Sequence, residues 1–76
     1  MLSVAGAEIF RRLRVLRRSL ADAEGVPAYI VFSDAVLTRM AQARPANEAA
    51  LLAVSGVGPA KLARYGGAFL QALRDA

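Results

Sequence analysis

The stretch that decides the fold is Leu51–Tyr65, which has the sequence LLAVSGVGPAKLARY. Apolar residues at helical spacing lead into Gly56–Gly58, and Pro59 then opens a second helix. Glycine adopts positive φ without steric cost, so one of the two glycines can reverse the chain in a tight turn. Proline suits the first position of a helix, where its missing N–H would have no partner in any case. The stretch therefore predicts two helices that meet at a sharp corner.

This corner has two interpretations. In the first it is structural, with Val57 filling the core and the glycines providing the turn. In the second it resembles a phosphate clamp of the helix-hairpin-helix type, in which free backbone N–H groups bind phosphate together with Gly58, Lys61 and Arg64. A short Gly-x-Gly between helices has low specificity, and the structural interpretation is favoured for that reason.

The composition excludes most catalytic chemistry. The 76 residues make one small domain without cysteine or histidine, so disulfides, thiolates and the commonest general base and metal ligand are missing. The single lysine, Lys61, has no serine motif beside it, and no glycine-rich loop is followed by Lys-Ser or Lys-Thr. We therefore expect no enzyme activity, no metal and no cofactor.

The charge points to an anionic partner. The net charge is +4, and five of the ten basic residues lie within Arg11–Arg18. Nucleic acid is the leading partner for such a domain, although a GC-rich genome would also enrich arginine. No apolar run approaches the ~20 residues of a membrane span, and the start does not resemble a signal peptide. We expect a cytoplasmic setting.

The first helix is predicted to be the longest. We expect a linker or disordered start over residues 1–7 and a helix from Glu8 that Gly25 ends. Its buried stripe consists of Ile9, Leu13, Leu16 and Leu20. Arg11, Arg14 and Arg18 lie opposite the stripe, and Arg12 and Arg17 flank it. This basic face is either a solvated exterior or an anion-binding surface. Asp22 is expected to pair with Arg18 or with a group elsewhere in the fold.

The segment Val26–Phe32 is apolar and rich in β-forming residues, but no second strand exists to pair with it. We therefore predict an ordered connector with Ile30 and Phe32 in the core. Tyr29 has two interpretations. Its ring is either packed in the core with its hydroxyl satisfied, or exposed as a platform on which a nucleobase can stack.

Four shorter helices are predicted after the connector. Ser33 or Asp34 caps the second helix, which ends before Arg44-Pro45, and Asn47 caps the third. A fourth helix follows the corner, Gly66-Gly67 breaks it, and the last covers Ala68–Asp75. The expected inward residues are Val36, Leu37, Met40, Ala41, Leu51, Leu52, Val54, Phe69, Leu70 and Leu73. One long and four short helices predict an all-α, compact, roughly orthogonal bundle.

Six residues are candidates for nucleic-acid binding. They are Arg14, Arg17, Arg18, Tyr29, Lys61 and Arg64. Arginine suits phosphate, and an exposed tyrosine suits a base. No long helix carries a cluster of base-reading side chains, so sequence-specific readout is not expected.

Four blocks in this order resemble the HRDC domain, the helicase-and-ribonuclease-D C-terminal domain. The blocks are 13–21 (LRVLRRSLA), 26–34 (VPAYIVFSD), 51–58 (LLAVSGVG) and 61–66 (KLARYG), and the resemblance covers roughly residues 8–76. It implies a five-helix fold and a non-catalytic accessory role in RecQ-type DNA helicases, which act in DNA repair and recombination. It also implies that Gly56–Gly58 is the family's structural corner. The chain departs from many relatives in using arginine at Arg17 and Arg64, where lysine is common, and alanine at many surface positions.

Two functions follow from the resemblance. In some relatives basic residues of the first helix and the connector bind single-stranded DNA weakly, and the connector's aromatic position corresponds to Tyr29. Other relatives barely bind DNA and act through contacts with neighbouring domains. The expected partners are therefore single-stranded or partly duplex DNA and the other domains of a parent helicase. No membrane is expected, and the domain is predicted to be a monomer.

Overall fold

A computed structural model describes residues 2–76, and these residues form five helices with no strand among them. The helices are α1 (Val4–Glu24), α2 (Ala28–Val31), α3 (Asp34–Ala43), α4 (Glu48–Leu52) and α5 (Pro59–Asp75). α1 contacts α2, α3 and α5, and α4 contacts α5. The prediction of an all-α fold of five helices with the first the longest is confirmed.

α1 begins at Val4, earlier than the predicted start at Glu8. The Ser3 hydroxyl oxygen accepts a hydrogen bond of 3.0 Å from the Gly6 N–H, and this N-cap allows the first turn to form before Glu8. Residues 4–7 are therefore helical and not a linker, and Met1 lies outside the described residues. The helix ends as predicted at Gly25, which has φ 69°.

The buried face of α1 is rotated from the predicted stripe. Its buried residues are Gly6, Ile9, Leu13, Arg17 and Ala21. Leu16 and Leu20 lie at the margin, half-buried against the core. The prediction was right for Ile9 and Leu13. It placed the centre of the buried face wrongly, because Arg17 occupies a buried position that a hydrophobic pattern does not assign to the core.

The predicted connector contains the single helical turn α2. Val31 and Phe32 are buried, whereas Ile30 is 42% exposed. The assignment of Ile30 to the core was therefore wrong. Successive residues of a helical turn point about 100° apart, so Val31 takes the inward position and Ile30 does not. Phe32 meets the rings of Phe69 and Tyr65 edge to face, at centroid distances of 5.1 and 6.0 Å.

The third and fourth helices begin at the predicted caps. Ser33 accepts from the Val36 N–H at 3.3 Å, and Asn47 accepts from the Ala50 N–H at 2.8 Å. The predicted inward residues of α3 are all buried: Val36, Leu37, Met40 and Ala41. In and after α4, Leu51 and Val54 are buried as expected, but Leu52 is exposed and its assignment to the core was wrong. In this five-residue helix only Leu51 faces the core.

The corner is built on Gly56, which has φ 98°, while Gly58 has an extended φ of −94°. Val57 between them is buried in the core. A Cβ at Gly56 would lie 2.4 Å from Cγ2 of Val36, so close packing as well as backbone conformation requires glycine here.

α5 runs without interruption through Gly66 and Gly67, so the predicted break there was wrong. A glycine inside a helix costs about 1 kcal/mol relative to alanine. Tyr65 and Phe69 are both buried on the same face of α5, and their burial outweighs this cost. The predicted fourth and fifth helices are therefore one helix, and α2 completes the count of five.

Candidate nucleic-acid interface

Tyr29 is 68% exposed on α2, so its ring is not packed in the core as the first of its two interpretations requires. Its ring lies at the edge of a groove of about 360 Å³ between α2, the end of α1 and the start of α5. The groove is lined by Glu24, Val26, Tyr29, Ile30, Ala60, Lys61, Arg64 and Tyr65. Three of the predicted contacts, Tyr29, Lys61 and Arg64, therefore come together in one place.

Lys61 uses its ammonium group within the protein. Its Nζ donates to the backbone carbonyl oxygen of Ile30 and, at 2.9 Å, to that of Val31. The same Nζ lies 5.7 Å from the centroid of the Phe32 ring, within the range of a cation–π interaction. Lys61 thus binds the last carbonyls of α2, although the sequence suggested it as a phosphate contact.

Arg64 is the exposed cation of the groove. Its side chain is 65% exposed, and its Nη2 forms an ion pair of 3.1 Å with Oε1 of Glu24. The Tyr65 hydroxyl donates to the same oxygen at 2.8 Å. This hydrogen bond, together with burial of the ring, raises the pKa of Tyr65 above its usual value. An exposed ion pair of this kind is weak, so the Arg64 guanidinium can exchange its carboxylate partner for a phosphate.

Arg17 is not on the surface, and the structure contradicts its assignment as a nucleic-acid contact. The residue is 7% exposed. Its Nη1 donates to the Phe32 carbonyl at 2.9 Å, and its Nη2 pairs with the Asp34 carboxylate at 2.7 Å. Arg17 therefore joins α1 to the start of α3. Arg17 lies four residues from both Leu13 and Ala21, and this spacing indicated that it belongs to the buried face of α1.

Arg14 and Arg18 are exposed on α1, away from the Tyr29 groove lining. Together with Arg11 and the exposed Val15 they line a separate shallow depression. Arg11 and Arg12 pair with Glu8, and the hydrogen bond from Arg11 lowers the pKa of the Glu8 carboxyl. Within residues 2–76, neither Arg14 nor Arg18 has a carboxylate oxygen within 4.0 Å, so the expected Arg18–Asp22 pair is not formed.

Two further properties of residues 2–76 bear on function. None of their helices combines the length and the apolarity needed to cross a membrane. These residues also contain no group of three or more histidine, cysteine, aspartate or glutamate side chains placed to hold a metal ion.

The chain is similar to domains of bacterial DNA helicases. The family model of the HRDC domain matches residues 6–73. The ATP-dependent DNA helicase RecQ of Pasteurella multocida is 48% identical over 68 residues, which are 90% of this chain and 11% of that protein. RecQ of Bacillus subtilis is 45% identical over 67 residues, 88% of this chain and 11% of the relative. The ATP-dependent DNA helicase UvrD2 of Mycobacterium tuberculosis is 42% identical over 67 residues, 88% of this chain and 10% of the relative.

A solved structure shows the same fold. The third HRDC domain of D. radiodurans RecQ superimposes with a TM-score of 0.89 at 34% sequence identity, and the match covers 92% of each chain. The present chain spans about a tenth of the length of the helicases it matches.

Proposed function

The chain belongs to the HRDC domain family, and we propose that it serves as a non-catalytic accessory domain of a RecQ-type DNA helicase. In this role it binds single-stranded DNA weakly and without sequence specificity, and it helps to position or regulate the helicase core. Its partners are single-stranded or partly duplex DNA and the other domains of the parent protein. It acts as a monomer, in the bacterial cytoplasm where DNA is processed.

The observation that carries this proposal is that the exposed Tyr29 ring and the exposed Arg64 guanidinium line the same groove. An aromatic face binds any base by stacking, because every base has a π face. A guanidinium beside it binds the adjoining phosphate through its planar fork of N–H donors. Stacking and phosphate contact together require no particular base, and this supports binding without sequence specificity.

Arg14 and Arg18 supply a second basic area, since within the described residues no carboxylate neutralises them at close range. Few phosphates can be contacted by so small a surface. Glu24 also places a negative charge in the Tyr29 groove. We therefore expect a dissociation constant on the order of 10⁻⁴–10⁻⁶ M at physiological salt, as for non-specific binding.

The test is an NMR titration of the ¹⁵N-labelled chain with a short oligo(dT) at a fixed, low salt concentration. Amide signals of α2 and of the start of α5 are expected to shift. Arg64→Gln should weaken binding and flatten its salt dependence. Arg74→Gln is the matched control, because Arg74 is also exposed on α5 but hydrogen-bonds Gln71 outside the groove. Equal effects of the two variants would contradict the assignment of the groove.

The second candidate function is a contact with another protein domain. The observation in its favour is Val15, which is 68% exposed and framed by Arg11, Arg14 and Arg18. An apolar side chain among arginines suits an acidic segment with an apolar residue of its own. A titration in which oligo(dT) shifts no amide near Tyr29 or Arg64 would favour this function over DNA binding.

A further inference from the structure

The helix α2, which carries Tyr29, is not stable by itself. α2 has only four residues, its N-cap Pro27 makes no side-chain hydrogen bond, and Phe32 at its C-cap is extended. One isolated helical turn is unstable because nucleation costs more conformational entropy than the first hydrogen bond returns. The carbonyl groups of its last turn also have no partner within the helix. The position of the Tyr29 ring therefore depends on contacts from outside α2.

Lys61 provides such a contact from α5. Its ammonium group donates to the carbonyls of Ile30 and Val31, the last two residues of α2, which lie 31 and 30 residues away in sequence. It also sits near the face of the Phe32 ring, the next residue along the chain. A lysine at a helix C-terminus both satisfies free carbonyls and favours the negative end of the helix dipole. Lys61 thus fixes the end of the turn directly after Tyr29.

We infer that Lys61 is a positioning residue for DNA binding, which holds α2 so that the Tyr29 ring is presented to a nucleobase, and that it does not contact phosphate itself. The inference rests on the proposed function of the groove. It gives different roles to the two cations of the groove, Lys61 and Arg64. Arg64 has a side-chain carboxylate partner that it can release, whereas the ammonium of Lys61 bridges two backbone carbonyls.

The first experiment uses the free protein and two matched variants, Lys61→Met and Arg64→Met. Both changes remove one cation of α5 from the same groove and retain an unbranched side chain. In Lys61→Met the backbone order parameters of Tyr29 and Ile30 are expected to fall from about 0.85 to below about 0.6, while that of buried Leu37 stays unchanged. In Arg64→Met all three are expected to stay unchanged. Unchanged order at Tyr29 in Lys61→Met would overturn the inference.

The second experiment measures oligo(dT) affinity of the same variants across a series of salt concentrations. Lys61→Met is expected to weaken binding about fivefold or more, as for loss of one stacked base, with the same salt slope as the unaltered protein. Arg64→Met is expected to reduce the slope by about 0.7, as for one lost phosphate contact on a single strand. A similar reduction of the slope in Lys61→Met would show that Lys61 contacts phosphate and would overturn the inference.

A third measurement uses the unaltered protein, so it does not depend on whether a variant folds. The ¹⁵Nζ of Lys61 should show scalar couplings through its hydrogen bonds to the ¹³C carbonyls of Ile30 and Val31, with and without oligo(dT). Loss of both couplings on DNA addition would overturn the positioning role. If oligo(dT) does not bind at all, the proposed function fails, and the order parameters of the free protein still decide whether Lys61 holds α2.

Discussion

Two adjacent arginines show how one residue type can serve two opposite purposes in this chain. Arg17 and Arg18 are neighbours in sequence, yet the first is buried between the Phe32 carbonyl and Asp34 and the second is exposed. A buried guanidinium is tolerated only where its N–H groups find acceptors and its charge finds a partner. Even so, the buried Nε of Arg17 has no hydrogen-bond partner within residues 2–76.

Arg17→Met is expected to destabilise the fold by about 1–3 kcal/mol, because it leaves the buried Phe32 carbonyl without its side-chain donor. Asp34→Asn should cost less than Arg17→Met, because the amide oxygen can still accept from the Arg17 guanidinium, although the buried charge loses its carboxylate partner. Urea unfolding followed by circular dichroism measures both changes, with Arg18→Met as the control. If Arg17→Met and Arg18→Met have equal midpoints, Arg17 does not stabilise the fold.

Tyr29→Ala tests the stacking platform. Because the ring is exposed, the free energy of unfolding should change little, whereas DNA binding should weaken by about 1–3 kcal/mol per stacked base. The salt slope should be unchanged, since stacking releases no counterions. Fluorescence anisotropy of a labelled oligo(dT) gives both quantities. Tyr29→Phe keeps the ring and is expected to retain the affinity, and an equal loss in both variants would contradict stacking.

At the scale of elements, the corner before α5 depends on the conformation of one glycine. Gly56→Ala is expected to destabilise the fold by more than about 1 kcal/mol, because alanine at φ 98° is strained and its Cβ would meet Val36. Gly58→Ser is the matched control. Gly58 is the N-cap of α5 with extended backbone, and a Cβ there has open space. Serine should therefore be neutral or stabilise the helix by a few tenths of a kcal/mol.

Thermal and urea unfolding of the two glycine variants provide the measurement. If Gly58→Ser loses as much stability as Gly56→Ala, the turn would depend on both glycines, and positive φ at Gly56 would not explain the requirement. If neither variant loses stability, the corner is not needed to hold α4 against α5.

At the scale of the whole molecule, α1 contributes Leu13 to the fully buried core, and Leu16 packs only against its margin. Leu13 is fully buried, whereas Leu16 is only half-buried at the margin. Leu13→Ala should cost roughly 2–5 kcal/mol, a large part of the ~5–15 kcal/mol that stabilises a domain. Leu16→Ala should cost clearly less, because its site opens to solvent and leaves no closed cavity. Urea unfolding of the two variants should rank them in this order, and the reverse order would centre the buried face of α1 on Leu16.

The sequence by itself determined the fold class, the cap Asn47, the start of α3 at Ser33 or Asp34, the corner with its positive φ at a glycine, and the buried face of α3. These features depend on signals within a few residues: helical periodicity, a capping side chain, or a backbone angle that only glycine adopts easily. The four blocks that resemble the HRDC domain also lie in the sequence, and the match to residues 6–73 confirms that resemblance.

Only the tertiary structure decided which of the candidate residues are buried, which bind other parts of the fold and which are exposed. Arg17 is buried because Phe32 and Asp34 meet it from across the fold, and Lys61 is engaged because α2 ends beside α5. Tyr65 likewise reaches Glu24, which lies 41 residues away in sequence. The energy of a charge or a polar ring depends on which partners and how much water surround it, and those partners are brought together only when the helices pack. Local patterns therefore found the candidate residues, and packing assigned them to the core, to support of α2 or to the surface.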